Sequence, residues 1–459
     1  MLKKHQQGQV LIISVIFFTI ILVLVASLMQ YVLQNTRASR LSAAGEQALQ
    51  LTDAGIDRAL QQLNTTAGTY SGETGTVLGE GTFDVSVAAL GSNREITVTA
   101  YIPSSASPVV TKQVKVRATI DTTTVVFNYG VHIGDGGLQM DNNSRVNGNA
   151  YSNGDIIGAN GAVITGTAIV AGATGKIDNV SVNGNATGHF LEDIAVGGDS
   201  NSASLLRATV TGRAVSDSIS NCTVGGSATY DTKTSCTIGG SETTPNPTDF
   251  TDPANLPLPI TAAQITDWEN EAAAGGVISG DYILTNGLSA SLGPKKISGN
   301  LTLDNNAILT VTGTLWITGQ IKLSNGAVLK LDPSYGSLSG VVVAGIGGDA
   351  SAGYIEIDNN SNALGSGTAG SYTLLLSQRN NSSSIAIKAS NNATGAILYA
   401  GTGVIELDNN SGLKEVTAYK IHLKNNAIVT YESGLANAQF TSGAGGSWAI
   451  EKGTWRETN

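Results

Sequence analysis

Charged side chains are scarce in this sequence. Of its 459 residues, 13% are Asp, Glu, Lys or Arg and 5% are aromatic, whereas an ordinary globular domain has about 25% charged residues. Acidic residues outnumber basic ones by 35 to 25, which gives a formal net charge of −10. The chain therefore lacks the overall basic character that binds a phosphate backbone, and we expect no nucleic-acid partner.

Motifs typical of catalysis or metal binding are also absent from the sequence. It contains no Gly-x-Ser-x-Gly, no His-Glu-x-x-His and no Walker loop. The four histidines are scattered, and no Cys-x-x-Cys occurs. We therefore predict no catalytic residue, no metal ligand and no cofactor.

Only two cysteines occur, and they lie in matched motifs. Cys222 begins CTVGGS, and Cys236 begins CTIGGS fourteen residues later. Matched motifs at this spacing are expected on adjacent passes of a repeating fold, and an exported compartment is oxidising. We predict a disulfide between them; a pair of buried thiols is the alternative.

A long apolar run near the N-terminus is the most prominent feature that the sequence does contain. Only Ser14, Thr19 and Ser27 interrupt the twenty residues that end at Met29, and about twenty apolar residues span ~30 Å of hydrocarbon as a helix. The run is longer than the apolar region of about 7 to 15 residues in a cleaved secretory signal. It predicts a membrane-spanning helix that ordinary signal peptidase does not remove.

The residues before this run resemble the leader of type IV prepilins. Gly8 follows a short basic leader and directly precedes the apolar helix. The resemblance implies that a prepilin peptidase cleaves after Gly8, that Gln9 becomes the methylated N-terminus, and that other pilin-like subunits and the membrane are partners. Ile13 stands where major pilins have a glutamate, and this departure resembles minor pilins of the PilX kind and K-type pseudopilins. A plain single-span anchor is the alternative.

The segment after the apolar run predicts a pilin-like arrangement of helix and sheet. Apolar or small residues continue at helical spacing to Leu63, which predicts an assembly helix over 9–63 after a leader at 1–8. Three segments that begin at Gly81, Arg94 and Lys112 alternate apolar and polar residues. Such alternation predicts a small antiparallel sheet within 64–121.

Internal repeats dominate the rest of the chain. LTLDNNAILTV at Leu301 recurs as IKLSNGAVLKL at Ile321 and as IHLKNNAIVTY at Ile421. A strand with two or three inward side chains cannot form a core alone, but stacked coils about 4.8 Å apart can. The repeats therefore predict a β-solenoid (β-helix) over 122–242 and 277–446, and so a mainly β fold; a β-sandwich is the competing architecture.

Asp-Asn-Asn corners punctuate these repeats, as at Asp141, Asp304, Asp358 and Asp408. Asn and Asp tolerate left-handed backbone geometry and bond to their own turns, so stacked corners select them without a metal ion. We therefore predict polar corner ladders. Calcium binding and paired-acid catalysis are the two alternatives.

Two further segments interrupt or end the repeats. In 243–276 a proline-rich stretch predicts extended chain, and Thr261 with Gln264 predicts the capping box of a short helix. We expect this segment to pack against the solenoid; a domain boundary or a partner-binding stretch is the alternative. The tail 447–459 contains Trp448 and Trp455, and we expect it to cap the last rung.

These features together predict a minor, tip-like pilin subunit that displays an extracytoplasmic β-solenoid for assembly and adhesion to a surface glycan or another cell. The resemblance implies a single-pass membrane protein. Once assembled into a filament, it would lie at the pilus tip. A membrane-anchored β-helix enzyme that acts on polysaccharide is an alternative, which a groove combining acidic and basic side chains would favour. A structural envelope protein outside any filament is another.

Overall fold

A computed structural model describes residues 6–66, 69–90, 93–121, 123–441 and 447–458. The chain divides into two compact units. Unit 1 comprises Met1–Ile120 and Trp448–Asn459, and unit 2 comprises Asp121–Ser447. In chain order, unit 2 is thus an insertion in unit 1.

Unit 1 combines one long helix with an antiparallel sheet. Helix α1 spans Gln6–Thr65. The first four strands are β1 (Gly72–Leu78), β2 (Gly81–Leu90), β3 (Asn93–Ile102) and β4 (Val110–Asp121), and they pair antiparallel in chain order. The predicted long helix and small antiparallel sheet are confirmed, and β1 is an additional strand that sequence alternation did not predict.

The two halves of α1 differ in what surrounds them within unit 1. From Leu11 to Leu33 every large apolar side chain is 42% to 72% exposed. The C-terminal half instead buries a stripe of apolar residues against the sheet, namely Ala48, Leu51, Ile56, Ala59 and Leu63. Gly55 allows the close approach, because a Cβ there would lie 2.5 Å from Cγ1 of Val98.

Within its described residues, unit 2 consists of short strands, one helix and two 3₁₀ turns. Its first strands are β5 (Thr123–Val125), β6 (Val131–Met140), β7 (Arg145–Asn147), β8 (Ala150–Ser152), β9 (Ile156–Gly158), β10 (Val163–Ile164), β11 (Ala168–Val170), β12 (Lys176–Asp178), β13 (Ser181–Val182), β14 (Ala186–Glu192), β15 (Ala195–Val196), β16 (Ser200–Leu206), β17 (Thr209–Val210), β18 (Ala214–Ser220), β19 (Thr223–Val224), β20 (Ala228–Thr229), β21 (Thr232–Thr234), β22 (Thr237–Ile238) and β23 (Glu242–Thr243). Helix α2 (Ala262–Ala274) follows them.

The strands after α2 continue the same pattern. They are β24 (Val277–Ser279), β25 (Tyr282–Leu284), β26 (Ser289–Leu292), β27 (Lys295–Ser298), β28 (Leu301–Leu303), β29 (Ile308–Val311), β30 (Leu315–Ile317), β31 (Ile321–Leu323), β32 (Val328–Leu331), β33 (Gly340–Ala344), β34 (Ile355–Ile357), β35 (Asn362–Leu364), β36 (Thr373–Ser377), β37 (Ile385–Ala389), β38 (Ile397–Leu407), β39 (Gly412–Leu413), β40 (Glu415–Leu423), β41 (Ile428–Thr430) and β42 (Ala438–Phe440). The 3₁₀ turns are Pro333–Tyr335 and Ser433–Asn437.

Parallel pairing between successive turns of the chain makes unit 2 a β-solenoid, as the repeats predict. Leu301 pairs with Ile321, one rung and twenty residues later, whereas Ser200 pairs with Ala214 in a shorter rung of fourteen residues. One column of paired residues passes through fourteen rungs: Ser289, Ile308, Val328, Asn362, Thr394, Gly412, Ile428, Arg145, Val163, Ser181, Ala195, Thr209, Thr223 and Thr237.

The order of the rungs differs from the order of the chain. β40 pairs with β6, and β41 pairs with β7. The rungs of 277–430 therefore precede those of 131–243 in the stack, with the junction at the middle. The core is continuous across this junction, as an inward column that is at most 2% exposed shows: Leu301, Ile321, Ile355, Ile387, Ile405, Ile421, Leu138, Ile156, Ile177, Leu191, Leu205 and Ile219.

The proline-rich segment begins the return of the chain from one end of this stack toward the other. We call residues 244–260 the strap. Along its length it contacts Asp231, Asp217, His189, Tyr151 and Tyr399, which lie on progressively earlier rungs. The strap starts after β23 and reaches Tyr399 on β38, nine rung spacings earlier in the stack. Its sixteen residue-to-residue steps of about 3.1 Å span about 50 Å, which is enough for nine spacings of about 4.8 Å. The strap thus returns the chain along the outside of the solenoid.

Helix α2 completes this return and confirms the predicted capping box. Thr261 and Gln264 make both hydrogen bonds of the box. Trp268 is 2% exposed and packs, outside the inner core of the solenoid, in an apolar cluster with Val343 of β33 and Phe440 of β42. Nζ of Lys295 bonds to the carbonyl oxygen of Gly275 at the end of the helix. The predicted packed excursion is therefore the connection that makes the reversed rung order sterically feasible.

The C-terminal tail corrects one sequence prediction. The sequence predicts that 447–459 caps the last rung, but from Trp448 onward the tail belongs to unit 1. This part includes most of β43 (Ser447–Ile450) and all of β44 (Arg456–Glu457). β44 pairs antiparallel with β4, and Trp448 is 4% exposed in the core of unit 1. The open edge of β4 accepts these residues, because an antiparallel pairing satisfies backbone groups that the edge would otherwise leave free.

Candidate functional site

The predicted processing position lies within α1. Gly8 and Gln9 are part of the helix that begins at Gln6, whereas residues 1–5 of the basic leader lie outside the described residues. Ile13 is 65% exposed, and the apolar residues around it are also exposed on every side of the helix. A helix that is apolar all round requires lipid or other apolar helices as its surroundings, and the hydropathy of α1 suits a membrane span.

The asparagine-rich corners of the solenoid form hydrogen-bonded ladders. Oδ1 of Asp304 accepts bonds from Oγ of Ser324 and Nδ2 of Asn325, both at 2.8 Å. The hydrogen bond from Ser324 is the main cause that lowers the pKa of Asp304. Oδ1 of Asp358 accepts the same two kinds of bond from Ser390 and Asn391, 2.9 and 2.6 Å long. These carboxylates thus bind the next corner of the stack.

The two cysteines are joined in the structure. Cys222 and Cys236 form a disulfide with a Cα–Cα distance of 4.5 Å. The following residues, Thr223 and Thr237, are register partners on neighbouring parallel strands. The bond therefore ties the last two rungs of the stack together.

A buried carboxyl group lies at the junction where the two runs of rungs meet. Glu415 on β40 is completely buried, and its Oε1 accepts a hydrogen bond from Oγ1 of Thr417 at 2.6 Å. Its Oε2 has no hydrogen-bond partner among the described residues. Burial raises the pKa of Glu415 well above its usual value, because the charged form loses its hydration.

A buried imidazole lies across the same junction. His132 on β6 is the register partner of Thr417 and is 8% exposed. Its ring packs against Tyr129 and Tyr151, with centroid distances of 5.6 and 5.9 Å. Burial lowers the pKa of His132 to about 4. Both groups were absent from the predicted sites, because their burial depends on strands far apart in the chain.

A polar groove of about 490 Å³ lies beside the strap. Its floor is the outward column Thr187, Asn201 and Val215 on three successive rungs. The strap, with Phe250, forms one wall, and the corner residues Asn185, Asp199 and Arg213 form the other. No sequence motif predicts this groove, since the strap and the floor come together only through the reversed order of the rungs.

The groups around this groove differ in whether their hydrogen-bonding capacity is filled. Oδ1 of Asn185 accepts from the backbone N–H of Asp199, and Oδ1 of Asp199 accepts from that of Arg213, at 2.9 and 2.8 Å. The side-chain amide of Asn201 and the hydroxyl of Thr187 make no hydrogen bond to any part of the chain that the structure describes. The corner is thus internally bonded, whereas the floor presents free polar groups.

Three carboxylates lie together at one end of this groove. Oxygen atoms of Asp217, Asp231 and Asp249 are within 4.8 Å of one another. Asp217 accepts bonds from the backbone N–H of Phe250 and from Nδ2 of Asn246, and Asp231 accepts from the backbone N–H of Asn246. This cluster anchors the strap and makes the end of the groove electronegative.

Comparison with known proteins gives no family. No protein-family profile and no curated protein matches the chain. Among solved structures, the crystal structure of the competence-associated pilin ComZ from Thermus thermophilus is similar at 10% identity over 91% of this chain and 97% of that chain, with a TM-score of 0.23. An ice binding protein from an Antarctic bacterium Flavobacteriaceae is similar at 11% identity over 65% of this chain and 80% of that chain, with a TM-score of 0.10. Both TM-scores are too low to establish a shared fold.

Proposed function

We propose that this protein is a minor, tip-like subunit of a type IV pilus or pseudopilus, and that unit 2 is displayed outside the cell. The observation that supports this most is the contrast within α1. Its first half is apolar on every side and exposed, whereas its second half packs on a small antiparallel sheet. Such a helix suits storage in a membrane and later insertion among the helices of a filament.

Processing and position in the filament follow from the N-terminal residues. A prepilin peptidase would cleave after Gly8 and leave Gln9 as the N-terminus. Ile13 offers no carboxylate to pair with the terminal ammonium of a neighbouring subunit, which favours a position where one neighbour is missing. The disulfide between Cys222 and Cys236 agrees with an extracytoplasmic location of unit 2, since disulfides persist in oxidising compartments.

The proposed role of unit 2 is contact with a surface glycan or another cell. Its corners expose asparagine, and its flat strands expose threonine, as at Thr209, Thr223 and Thr237. Amide and hydroxyl groups are uncharged and can form hydrogen bonds with the hydroxyl groups of a glycan. They suit such a surface better than an ionic ligand.

N-terminal mass spectrometry of the protein from its native membrane tests the assembly role. We expect a mature chain that starts with N-methylated Gln9, and an unprocessed chain in a Gly8→Glu variant, whose side chain obstructs the peptidase. An intact Met1 terminus in the unaltered protein would contradict the proposal and favour a structural envelope protein outside any filament.

A second candidate function has support from the groove beside the strap. Asp199, Arg213 and Asp249 line it, and this combination of acidic and basic groups is one that a polysaccharide-acting enzyme could use. Release of reducing ends or unsaturated products from polysaccharide would identify such an enzyme. A chain that is processed after Gly8 and releases no product would support display alone.

A further inference from the structure

We infer that the groove beside the strap binds a short segment of a neutral polysaccharide, two to three sugar units long, aligned with the axis of the solenoid. This inference rests on the proposed role in glycan contact and assigns it to one place. The groove is named here by its floor (Thr187, Asn201, Val215), its strap wall with Phe250, and its corner wall (Asn185, Asp199, Arg213).

The dimensions of the groove suit a linear chain. Its floor residues are register partners on three successive rungs, so they are spaced about 4.8 Å apart along the stack. Two such spacings give a floor of about 10 Å, and a volume of about 490 Å³ lies within the range of small-ligand sites. Both walls run parallel to the axis along which the rungs stack, so a bound sugar chain would lie along this axis.

The chemistry of the lining suits hydroxyl groups. Asn201 is exposed and its amide offers two donors and one acceptor that no described residue uses. Thr187 adds a hydroxyl beside it. Elsewhere on this solenoid the corner asparagines donate to one another, as Asn391 does to Asn359. The floor of the groove therefore has free hydrogen-bonding capacity at Asn201 and Thr187, and the amide of Asn201 provides most of it.

An aromatic ring provides the apolar side of the site. The backbone N–H of Phe250 donates to Oδ1 of Asp217 at 3.1 Å, and its ring contacts His189 at a centroid distance of 6.3 Å. These contacts hold a half-buried ring at the groove wall. The apolar face of a sugar packs on such a ring, while its hydroxyls reach the floor.

The charges at the groove favour a neutral ligand over an anionic one. Arg213 is its cationic side chain, and it lies 3.8 Å from a carboxylate oxygen of Asp199. Asp217, Asp231 and Asp249 add negative charge at one end. A uronate, sulfate or phosphate chain would meet net repulsion there, because like charges oppose association.

The test uses the full-length protein in a detergent without a sugar head group. Binding of cellohexaose, chitohexaose and maltohexaose is measured by isothermal titration calorimetry, beside an oligogalacturonate as the anionic probe. We expect at least one neutral hexaose to bind and the oligogalacturonate not to bind. We expect Asn201→Ala and Phe250→Ala each to weaken that binding at least tenfold.

Matched variants separate loss of the site from loss of the fold. Asn183→Ala removes an exposed asparagine outside the groove and should leave binding unchanged. Phe250→Leu keeps an apolar side chain on His189 but removes the ring, so it should weaken binding while circular dichroism stays unchanged.

Three results would overturn the inference. They are no binding of any neutral hexaose, preferential binding of the anionic probe, and binding that survives both groove substitutions. If mass spectrometry shows that the hexaose is shortened on incubation with the protein, the groove is an enzyme active site and not a binding site. N-terminal processing after Gly8 is measured independently, so a failed groove leaves the proposed assembly role standing.

Discussion

Glu415 shows how one residue couples the junction of the solenoid to pH. The carboxyl group is completely buried, and its pKa is raised well above the usual value. In the unfolded chain a glutamate ionises near pH 4.3. Between that pH and the raised native pKa, the folded state therefore holds a proton that the unfolded state has lost, so the free energy of unfolding falls as the pH rises.

The substitution Glu415→Gln should remove this dependence. Glutamine keeps an acceptor for Oγ1 of Thr417 and cannot ionise. Relative to the unaltered protein, we expect the variant to gain up to about 1.4 kcal/mol of unfolding free energy for each pH unit above about 4.3, until the native pKa is reached. Chemical denaturation of unit 2, followed by circular dichroism between pH 5 and 8, measures the difference.

Glu356→Gln is the matched control for this prediction. Glu356 lies on the solvent-facing side of β34, 3.5 Å from Nζ of Lys322, and its substitution should not reproduce the growing gain at high pH. A constant offset between Glu415→Gln and the unaltered protein at every pH would show that the buried carboxyl group does not titrate as argued.

The predictability of individual residues depends on whether their role is local. The corner asparagines could be predicted from the sequence, because positive φ angles such as those of Asn305 and Asn306 are a preference of asparagine itself. Glu415 could not, since the strand that meets β40 at the junction lies about 280 residues earlier in the chain. The free amide of Asn201 likewise has no signature among the many asparagines of this chain.

At the scale of elements, the strap depends on a few contacts with the rungs that it crosses. Asn153 makes two of them with one residue: its Nδ2 donates to the carbonyl oxygen of Leu256 at 2.9 Å, and its Oδ1 accepts from the N–H of Leu256 at 3.0 Å. The sequence predicted an extended, packed segment here, because proline favours such backbone. It did not predict the direction of the strap, which depends on tertiary contacts of this kind.

Asn153→Ala should loosen the strap without unfolding the solenoid. Loss of two partly buried hydrogen bonds costs about 1 to 2 kcal/mol of local stability, which corresponds to a 5- to 30-fold increase in opening. Hydrogen–deuterium exchange of peptides covering 250–260 measures it. Asn160→Ala, an exposed asparagine away from the strap, should leave exchange unchanged. Equal protection of the strap in both variants would contradict its dependence on Asn153.

At the scale of the whole inserted unit, the stack has two open ends and a junction in its middle. β5 and β42 pair antiparallel, so the chain enters and leaves unit 2 side by side, and Phe440 of β42 bridges to Ser339 just before β33. One end exposes Val277, Ile283 and Leu288 by 56% to 65%, whereas the other ends in the polar strand β23, both residues of which are exposed. The repeats predicted rungs and a core, but each rung presents the same inward Ile, Leu and Val, so sequence periodicity cannot specify which rungs are neighbours.

Cysteine cross-linking distinguishes the observed rung order from stacking in chain order. Ile428 and Arg145 are register partners across the junction, in the same kind of neighbouring-rung arrangement as the native disulfide, whose Cα atoms are 4.5 Å apart. Because this distance lies within the range that a disulfide spans, the double variant Ile428→Cys, Arg145→Cys should oxidise to an intramolecular cross-link. Peptide mass spectrometry identifies the joined fragments.

The control pair is Thr243→Cys with Val277→Cys, which chain-order stacking would place on adjacent rungs. In the observed order these residues lie at opposite ends of the stack, on the order of 60 Å apart at about 4.8 Å per rung, so they should remain unlinked within one molecule. A cross-link in the control pair, with none at the junction, would show that the strap does not reverse the chain. The groove beside the strap would then lose one wall, because only the returning chain brings Phe250 to the floor formed by Asn201.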